Sequence, residues 1–392
     1  MDSGVKRRVA FVINSLQPGG AEHVLLDTVK YLRRFYEIVV YVCVEYIDAD
    51  SSLMPAMREL VEVRSLIRYR GKGSFLQRFP YRLKSRLTQD RWDRLGPEKT
   101  FEAVFGDERF DMVIAYLEGL STRIVAGAPE GVAKYAWVHT DMIANPISEN
   151  HYLCPEDEAA AYRAFDKVFA VSSDVADSVR RKFGVDAEFV QNIVDDAAVR
   201  TKASSEPNPY PEDGLSTVVL VGRHSEVKGY GRFLGVVRRL QREGFAFRTC
   251  FVGEGDLTQS LKEQCERDRL ENVGFAGYRP NPYPYIANAD LLVCSSFAEG
   301  FSGTVVEALI LGVPVLTSDC AGMRDILGAG YEYGMIVPNS EDGLYQGLRT
   351  LLADPMALAE YRKAAGERGA EFSTSVLGGR LVAALENGID QD

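Results

Sequence analysis

The strongest constraint on this chain is a rhythm that occurs twice. The apolar run RVAFVIN breaks at the turn SLQPGGAE and passes into an apolar-periodic stretch, Val24 to Leu32. A second apolar run, EIVVYVCVE, follows from Glu37. This is β–α–β order, and runs apolar on both faces suit strands of a parallel sheet covered by helices on either side. Three further runs, DMVIAYLEG, KYAWVHTD and KVFAVS, each end in polar residues. After Asp196 the composition changes, and SSEPNPYPEDG, from Ser204 to Gly214 with three prolines, reads as a linker. The alternation then restarts with STVVLVG, YGRFLGVVRRLQREG, FRTCFVGEG, LTQSLKEQCERD, NVGFAG and LLVCSS. The expected architecture is α/β: two doubly wound, Rossmann-like domains, 1–200 and 201–373, facing a central cleft. A C-terminal helix at about 374–390 is expected to return to the first domain. Ligands of such sheets bind outside the strand C-termini, so the loops there are where chemistry is sought.

Composition narrows the function classes. At 392 residues the chain exceeds most single cores, and 46% apolar with 26% charged residues is ordinary for a soluble globular protein. No apolar run approaches the ~20 residues needed to cross a bilayer. The first apolar stretch, Val9 to Ile13, stops at Asn14, too short for a signal peptide, so a cytoplasmic location is expected. Cys43, Cys154, Cys250, Cys265, Cys294 and Cys320 show no CxxC pair or metal-ligand spacing and read as free, mostly buried thiols. A net charge of -11 argues against nucleic acid as a partner. Between Arg64 and Arg94, however, ten basic residues face only Asp90 and Asp93, with Phe75, Phe79, Tyr81 and Trp92 interleaved. That composition suits peripheral contact with the anionic inner face of a membrane; the alternative is a solvated basic helix with its apolar residues in the core.

The stretch CSSFAEGFSGTVVEALILGVPVLTSD carries the densest chemistry. LLVCSS reads as a buried strand, and Thr304 to Leu311 as a helix stopped by Gly312 and Pro314, which puts Glu299 on the loop between them and Glu307 in the first helical turn. Pattern brings further candidates to the same strand ends: Gly19 and Gly20 on the first turn, Glu118 in YLEG, His139 in WVHTD, and Arg223 and Lys228 in VGRHSEVKG. Cations, a helix N-terminus and glycines that admit a ligand to the backbone make a pyrophosphate site, and an acidic residue in that helix suits ribose hydroxyls. Plainer readings exist. Thr304-x-x-Glu307 is also a capping box, His139 a strand-end histidine, and Arg223 and Lys228 surface charges. His23, His151 and His224 read as structural.

GRHSEVKG followed by EGFSGTVVEALILGVPVLTSD resembles the retaining glycosyltransferases of family 4, which have the GT-B fold. PGGAE, WVHTD, VFAVSSDVADSVRRKFG, QNIVD, VGEGDL and FAGY extend the resemblance over nearly the whole chain. It implies that Arg223 and Lys228 neutralise a donor diphosphate in place of a metal, so no cofactor or metal is expected. It implies further that Glu307 holds the donor ribose, that the backbone of Phe301, Ser302, Gly303 and Thr304 meets the phosphates, and that Tyr278 lies near the base. Glu299 and His139 would contact the transferred sugar, Gly19 and Gly20 would close over donor and acceptor, and Glu118 would lie on the acceptor side. The phrases WVHTD and YLEGLST look most like enzymes of bacterial surface-polysaccharide assembly, so the expected substrates are a nucleotide-sugar, foremost a UDP-sugar, and a glycan or lipid-linked acceptor. The competing readings are a catalytically silent GT-B partner subunit and a nucleotide-sugar epimerase of the same fold. Two departures stand out: Asp325 occupies a position where the family often has glutamate, and Asp48-Ala49-Asp50 imitates a metal-binding DxD but follows the second strand, away from the site-forming loops.

Overall fold

The computed structural model describes residues 6–48, 52–70, 80, 92 and 94–387. The chain divides into two compact units, Met1–Ile193 with Leu377–Asp392, and Val194–Val376.

The first unit is built on a parallel sheet of seven strands: β1 (Arg8–Ile13), β2 (Glu37–Tyr46), β3 (Glu62–Tyr69), β4 (Met112–Ala115), β5 (Ala133–Val138), β6 (Lys167–Ala170) and β7 (Glu188–Phe189), in the order β3-β2-β1-β4-β5-β6-β7. Phe11 of β1 pairs with Val40 of β2 on one side and Ile114 of β4 on the other, and residues Ala10 to Ile13 are fully buried. Helix α1 (Gly20–Leu32) follows β1 and buries Val24, Leu25, Val29 and Leu32, one apolar face at helical spacing. Strand order reverses between β1 and β4, so the loops leaving these two strands flank a natural crevice.

The second unit repeats the plan with six parallel strands: β8 (Ser216–Val221), β9 (Phe247–Val252), β10 (Val273–Gly277), β11 (Leu291–Cys294), β12 (Val315–Ser318) and β13 (Met335–Val337), ordered β10-β9-β8-β11-β12-β13. Here the reversal lies between β8 and β11. Their exit loops, 222–229 and 295–302, carry Arg223, Lys228, Glu299, Phe301 and Ser302.

Three features depart from the sequence reading. The proline-rich stretch 204–214 is not a link between the units but part of the second one, where Tyr210 is buried and donates its hydroxyl proton to the Tyr285 carbonyl at 2.7 Å. The division instead precedes helix α2 (Asp196–Ala203), whose start is capped by Asp195 accepting from Ala198 N–H at 2.9 Å. The basic segment begins as a strand: β3 places Arg68 against Glu45 at 3.1 Å and Arg64 against Glu62 at 2.7 Å, so these two cations are already paired with carboxylates of the first unit. Trp92 is buried. Residues 71–79, 81–91 and 93, which include Phe75, Phe79 and Tyr81, lie outside the described residues, as do Ala49 and Asp50 of the DxD-like triplet. No described helix is long and apolar enough to cross a membrane.

Candidate active site

Lys228 ends a short 3-10 turn, Glu226–Lys228, after β8. The next residue, Gly229, has φ +64, and a Cβ there would stand 2.2 Å from the carbonyl oxygen of Ser295. Only glycine meets both demands, and it lets the two exit loops touch. They are then sewn together. Phe297 N–H donates to the Val227 carbonyl at 2.7 Å, and Ser295 Oγ to the Lys228 carbonyl at 2.8 Å. Arg232, in the first turns of helix α3 (Tyr230–Arg242), donates through Nη2 to the carbonyls of Ser295 and Ser296 at 2.7 and 2.8 Å, and its guanidinium lies 3.9 Å from the Phe297 ring centre.

This stitching brings Lys228 Nζ to 2.6 Å from Glu299 Oε1. Burial, the largest single influence, would lower the ammonium's pKa; the Glu299 carboxylate, joined by the nearby Cys294 and Cys320 sulfurs, offsets it and holds Lys228 above its usual value, so the side chain is a cation at neutral pH. Ser296 Oγ donates to the same Glu299 oxygen at 2.5 Å. A lysine and a glutamate more than seventy residues apart thus meet because their strands are neighbours at the reversal point.

Beyond Glu299, helix α4 (Gly303–Ile310) starts at the N-cap Ser302, whose side chain makes no capping bond. Its first-turn N–H groups therefore lack a side-chain cap, the condition for receiving an anion. Thr304 sits inside the helix, so the Thr304-x-x-Glu307 capping-box reading does not hold. Glu307 instead accepts from the hydroxyl of Tyr283 at 3.2 Å. Tyr283 was not legible in the sequence, because nothing in NPYPYIA marks which tyrosine faces the helix. Tyr278, five residues earlier, is 55% exposed. Arg223 lines a cavity of about 650 Å³ with Glu254, Gly255, Asp256 and Thr258. Below it, fully buried His224 shares a 2.8 Å hydrogen bond through Nδ1 with Thr258 Oγ1, tying the Arg223 loop to the far wall of that cavity; burial lowers its pKa. Asp325 lies in the helix Met323–Leu327, where its carbonyl accepts from Arg368 at 2.6 Å.

The first unit holds the other candidates. Gly19 is the extended N-cap of α1 and Gly20 its first residue. Glu118, just past β4, accepts through Oε1 from the backbone N–H groups of His139 and, at 2.9 Å, Thr140, just past β5. Asn14, just past β1, donates to the Glu118 carbonyl at 2.8 Å and accepts from Ser121 N–H at 3.0 Å. Three strand ends are thereby bound into one polar knot. Burial pushes the Glu118 carboxyl up to about 7 against the opposing pull of its backbone donors. Burial also lowers His139 to about 3; its ring packs 4.8 Å from Tyr116, and Nε2 is buried without a hydrogen-bond partner. Unliganded His139 is accordingly a neutral imidazole with one nitrogen unspent.

Two doubly wound parallel sheets with flanking helices match the architecture of GT-B glycosyltransferase structures. The family models agree: "Glycosyltransferase Family 4" matches residues 18–198 and "Glycosyl transferases group 1" residues 216–354. The chain belongs to the family-4-like glycosyltransferases of the GT-B fold. Among curated relatives, an N-acetylgalactosamine-N,N'-diacetylbacillosaminyl-diphospho-undecaprenol 4-alpha-N-acetylgalactosaminyltransferase of Campylobacter jejuni is 29% identical over 40% of this chain and 42% of its own length. A 2-deoxystreptamine glucosyltransferase of Streptomyces kanamyceticus is 26% identical over 70% of this chain and 77% of its own. A crystal structure of Anabaena Alr3699/HepE in complex with UDP and glucose superposes with a TM-score of 0.72 over 97% of this chain and 99% of that one, at 18% identity.

Proposed function

We propose that the protein is a retaining, metal-independent hexosyltransferase that moves a sugar from a nucleotide diphosphate donor, foremost a UDP-sugar, to a glycan or lipid-linked acceptor in cell-surface polysaccharide or glycoconjugate assembly. The observation that carries the reading is the Lys228–Glu299 pair set beside the uncapped start of α4, with Arg223 on the adjoining loop. Breaking the bond between an anomeric carbon and a diphosphate builds positive charge on the sugar and negative charge on the leaving oxygen, and fixed charges and dipoles act on both. Lys228, Arg223 and the α4 N–H groups serve the diphosphate without a metal, and Glu299 serves the sugar. The acceptor oxygen bonds to the anomeric carbon on the face the diphosphate leaves, and its proton passes to a diphosphate oxygen, so no protein nucleophile is needed. The UDP of the Anabaena complex supports a uridine donor, and the undecaprenol-linked substrate in the Campylobacter enzyme's name supports a lipid-linked acceptor. Such an acceptor would bring the protein to the cytoplasmic face of a membrane, and the basic segment 64–94 is the proposed point of contact.

The test is nucleotide release from a panel of UDP-, GDP- and ADP-sugars in EDTA, with the wild type beside Glu299→Ala and Arg223→Ala. Slow, EDTA-resistant release from one donor, lost in both variants, is the expected result. Absence of both release and nucleotide binding would turn the assignment to a silent partner subunit, and a donor converted to its epimer without acceptor would turn it to an epimerase.

A further inference from the structure

Glu299 has two carboxylate oxygens, and the protein uses them unequally. Oε1 receives Lys228 Nζ at 2.6 Å and Ser296 Oγ at 2.5 Å, with the Cys294 thiol at 3.9 Å. Among the described residues, every hydrogen bond to the carboxylate ends on Oε1 and none on Oε2. Ser296 is itself anchored. It is 1% exposed, and its carbonyl accepts from Arg232 at 2.8 Å, from Ser318 Oγ at 2.6 Å and from the Cys320 thiol at 3.0 Å. Its single hydroxyl proton is spent on Glu299, while the Cys294 thiol, 3.6 Å from Ser296 Oγ, approaches from behind.

Resting on the transferase reading above, we propose that Ser296 is a positioning residue. Together with Lys228 it holds Oε1, fixing the plane of the carboxylate so that the sugar meets Oε2 alone. A lysine is a long, flexible donor with three protons, and a lone Lys–Glu pair can swing as a unit. A second donor, anchored in the strand exit and aimed at the same oxygen, removes that freedom. It also leaves two ammonium protons of Lys228 for the diphosphate, so one cation touches both the leaving group and the residue that faces the sugar. Such fixed geometry is what lets a carboxylate act on charge that develops only in the transition state.

The test uses the donor that the wild-type protein turns over. Ser296→Ala is expected to lower kcat on the order of 10- to 100-fold, the range for losing one hydrogen bond to a charged group, with donor KM changed less than about threefold. Ser296→Thr, which keeps the hydroxyl, is expected to restore most of the rate. Should the extra methyl prevent folding, a double-mutant cycle decides independently: in a Glu299→Gln background, Ser296→Ala is expected to cost much less than in wild type, whereas a residue acting only on stability would cost the same in both. Equal cost in both backgrounds, or a Ser296→Ala variant within about twofold of wild type, would overturn the proposal while leaving the transferase reading intact. A wild type that releases nucleotide from no donor, or a fully active Glu299→Ala, would overturn that reading and this proposal with it.

Discussion

Glu118 sets a pH dependence that can be worked out from its surroundings. Its carboxyl titrates at about 7 in the folded protein, raised chiefly by burial, against an ordinary value of 4.5. A raised carboxyl favours the folded state while protonated. Its contribution is therefore fully present below about 4.5 and is lost as pH rises through about 7. The loss is at most about 3 kcal/mol, and less for a group that keeps some contact with solvent. Glutamine at this position mimics the protonated form in charge, and its amide oxygen can still accept from His139 and Thr140. Glu118→Gln is expected to match wild type in thermal stability at pH 4, to exceed it increasingly up to about pH 7 and to hold a nearly constant advantage above that. A difference that stays constant with pH would show that Glu118 does not titrate in that window.

At the scale of elements, the turn from β8 into α3 is the piece on which the rest of the second site depends. Gly229→Ala would add a positive-φ penalty and drive a Cβ into the Ser295 carbonyl, so a destabilisation of roughly 2–4 kcal/mol is expected, together with a loss of nucleotide release because Lys228 and Glu299 part. Gly231, two residues on and inside the helix, has nothing nearer than 3.7 Å to a new Cβ. Gly231→Ala should be neutral or add up to about 1 kcal/mol. Chemical unfolding of the two variants side by side checks the contrast, and equal effects would refute it. This turn also shows what the sequence could reveal. The runs that became β1, β2, β8 and β11 were legible because strands buried on both faces must be continuously apolar, and GRHSEVKG and the two glutamates were legible because ligand chemistry restricts residue type. β3 was not, because charged Arg64 and Arg68 belong to an edge strand and find Glu62 and Glu45 only through tertiary neighbours. Prolines made 204–214 resemble a linker, and the burial of Tyr210, the Asp213–Arg248 ion pair and the hydrogen bond from Asn281 to Glu206 tie it to the second unit instead. Ser296, Tyr283 and His224 act through partners set by the fold, which local pattern does not encode.

On the scale of the whole chain, the last described helix, α5 (Thr374–Glu386), binds the end of the sequence to its beginning. From Leu377 onward it belongs to the first unit, although almost two hundred residues of the second intervene. Leu377, Leu381 and Leu385 are buried, and Gly378 lies so close to Tyr31 of α1 that a Cβ would stand 2.2 Å from its ring. Polar bonds fix the register: Tyr36 and Arg7 both bind Glu386, Lys167 Nζ donates to the Ala384 carbonyl at 2.8 Å, and the Tyr135 hydroxyl to that of Leu385 at 3.3 Å. The first unit is therefore fully packed only once residues 377–386 are in place, so its folding depends on chain that follows the second unit. Leu381→Ala should cost about 2–5 kcal/mol, and the cost should fall on one unit. Hydrogen exchange is expected to show faster amides in β1, β2 and β6 with β8, β11 and β12 unchanged. Equal loss of protection in both sheets would mean that the units unfold as one, and that the closing helix stabilises the chain as a whole rather than the sheet on which it lies.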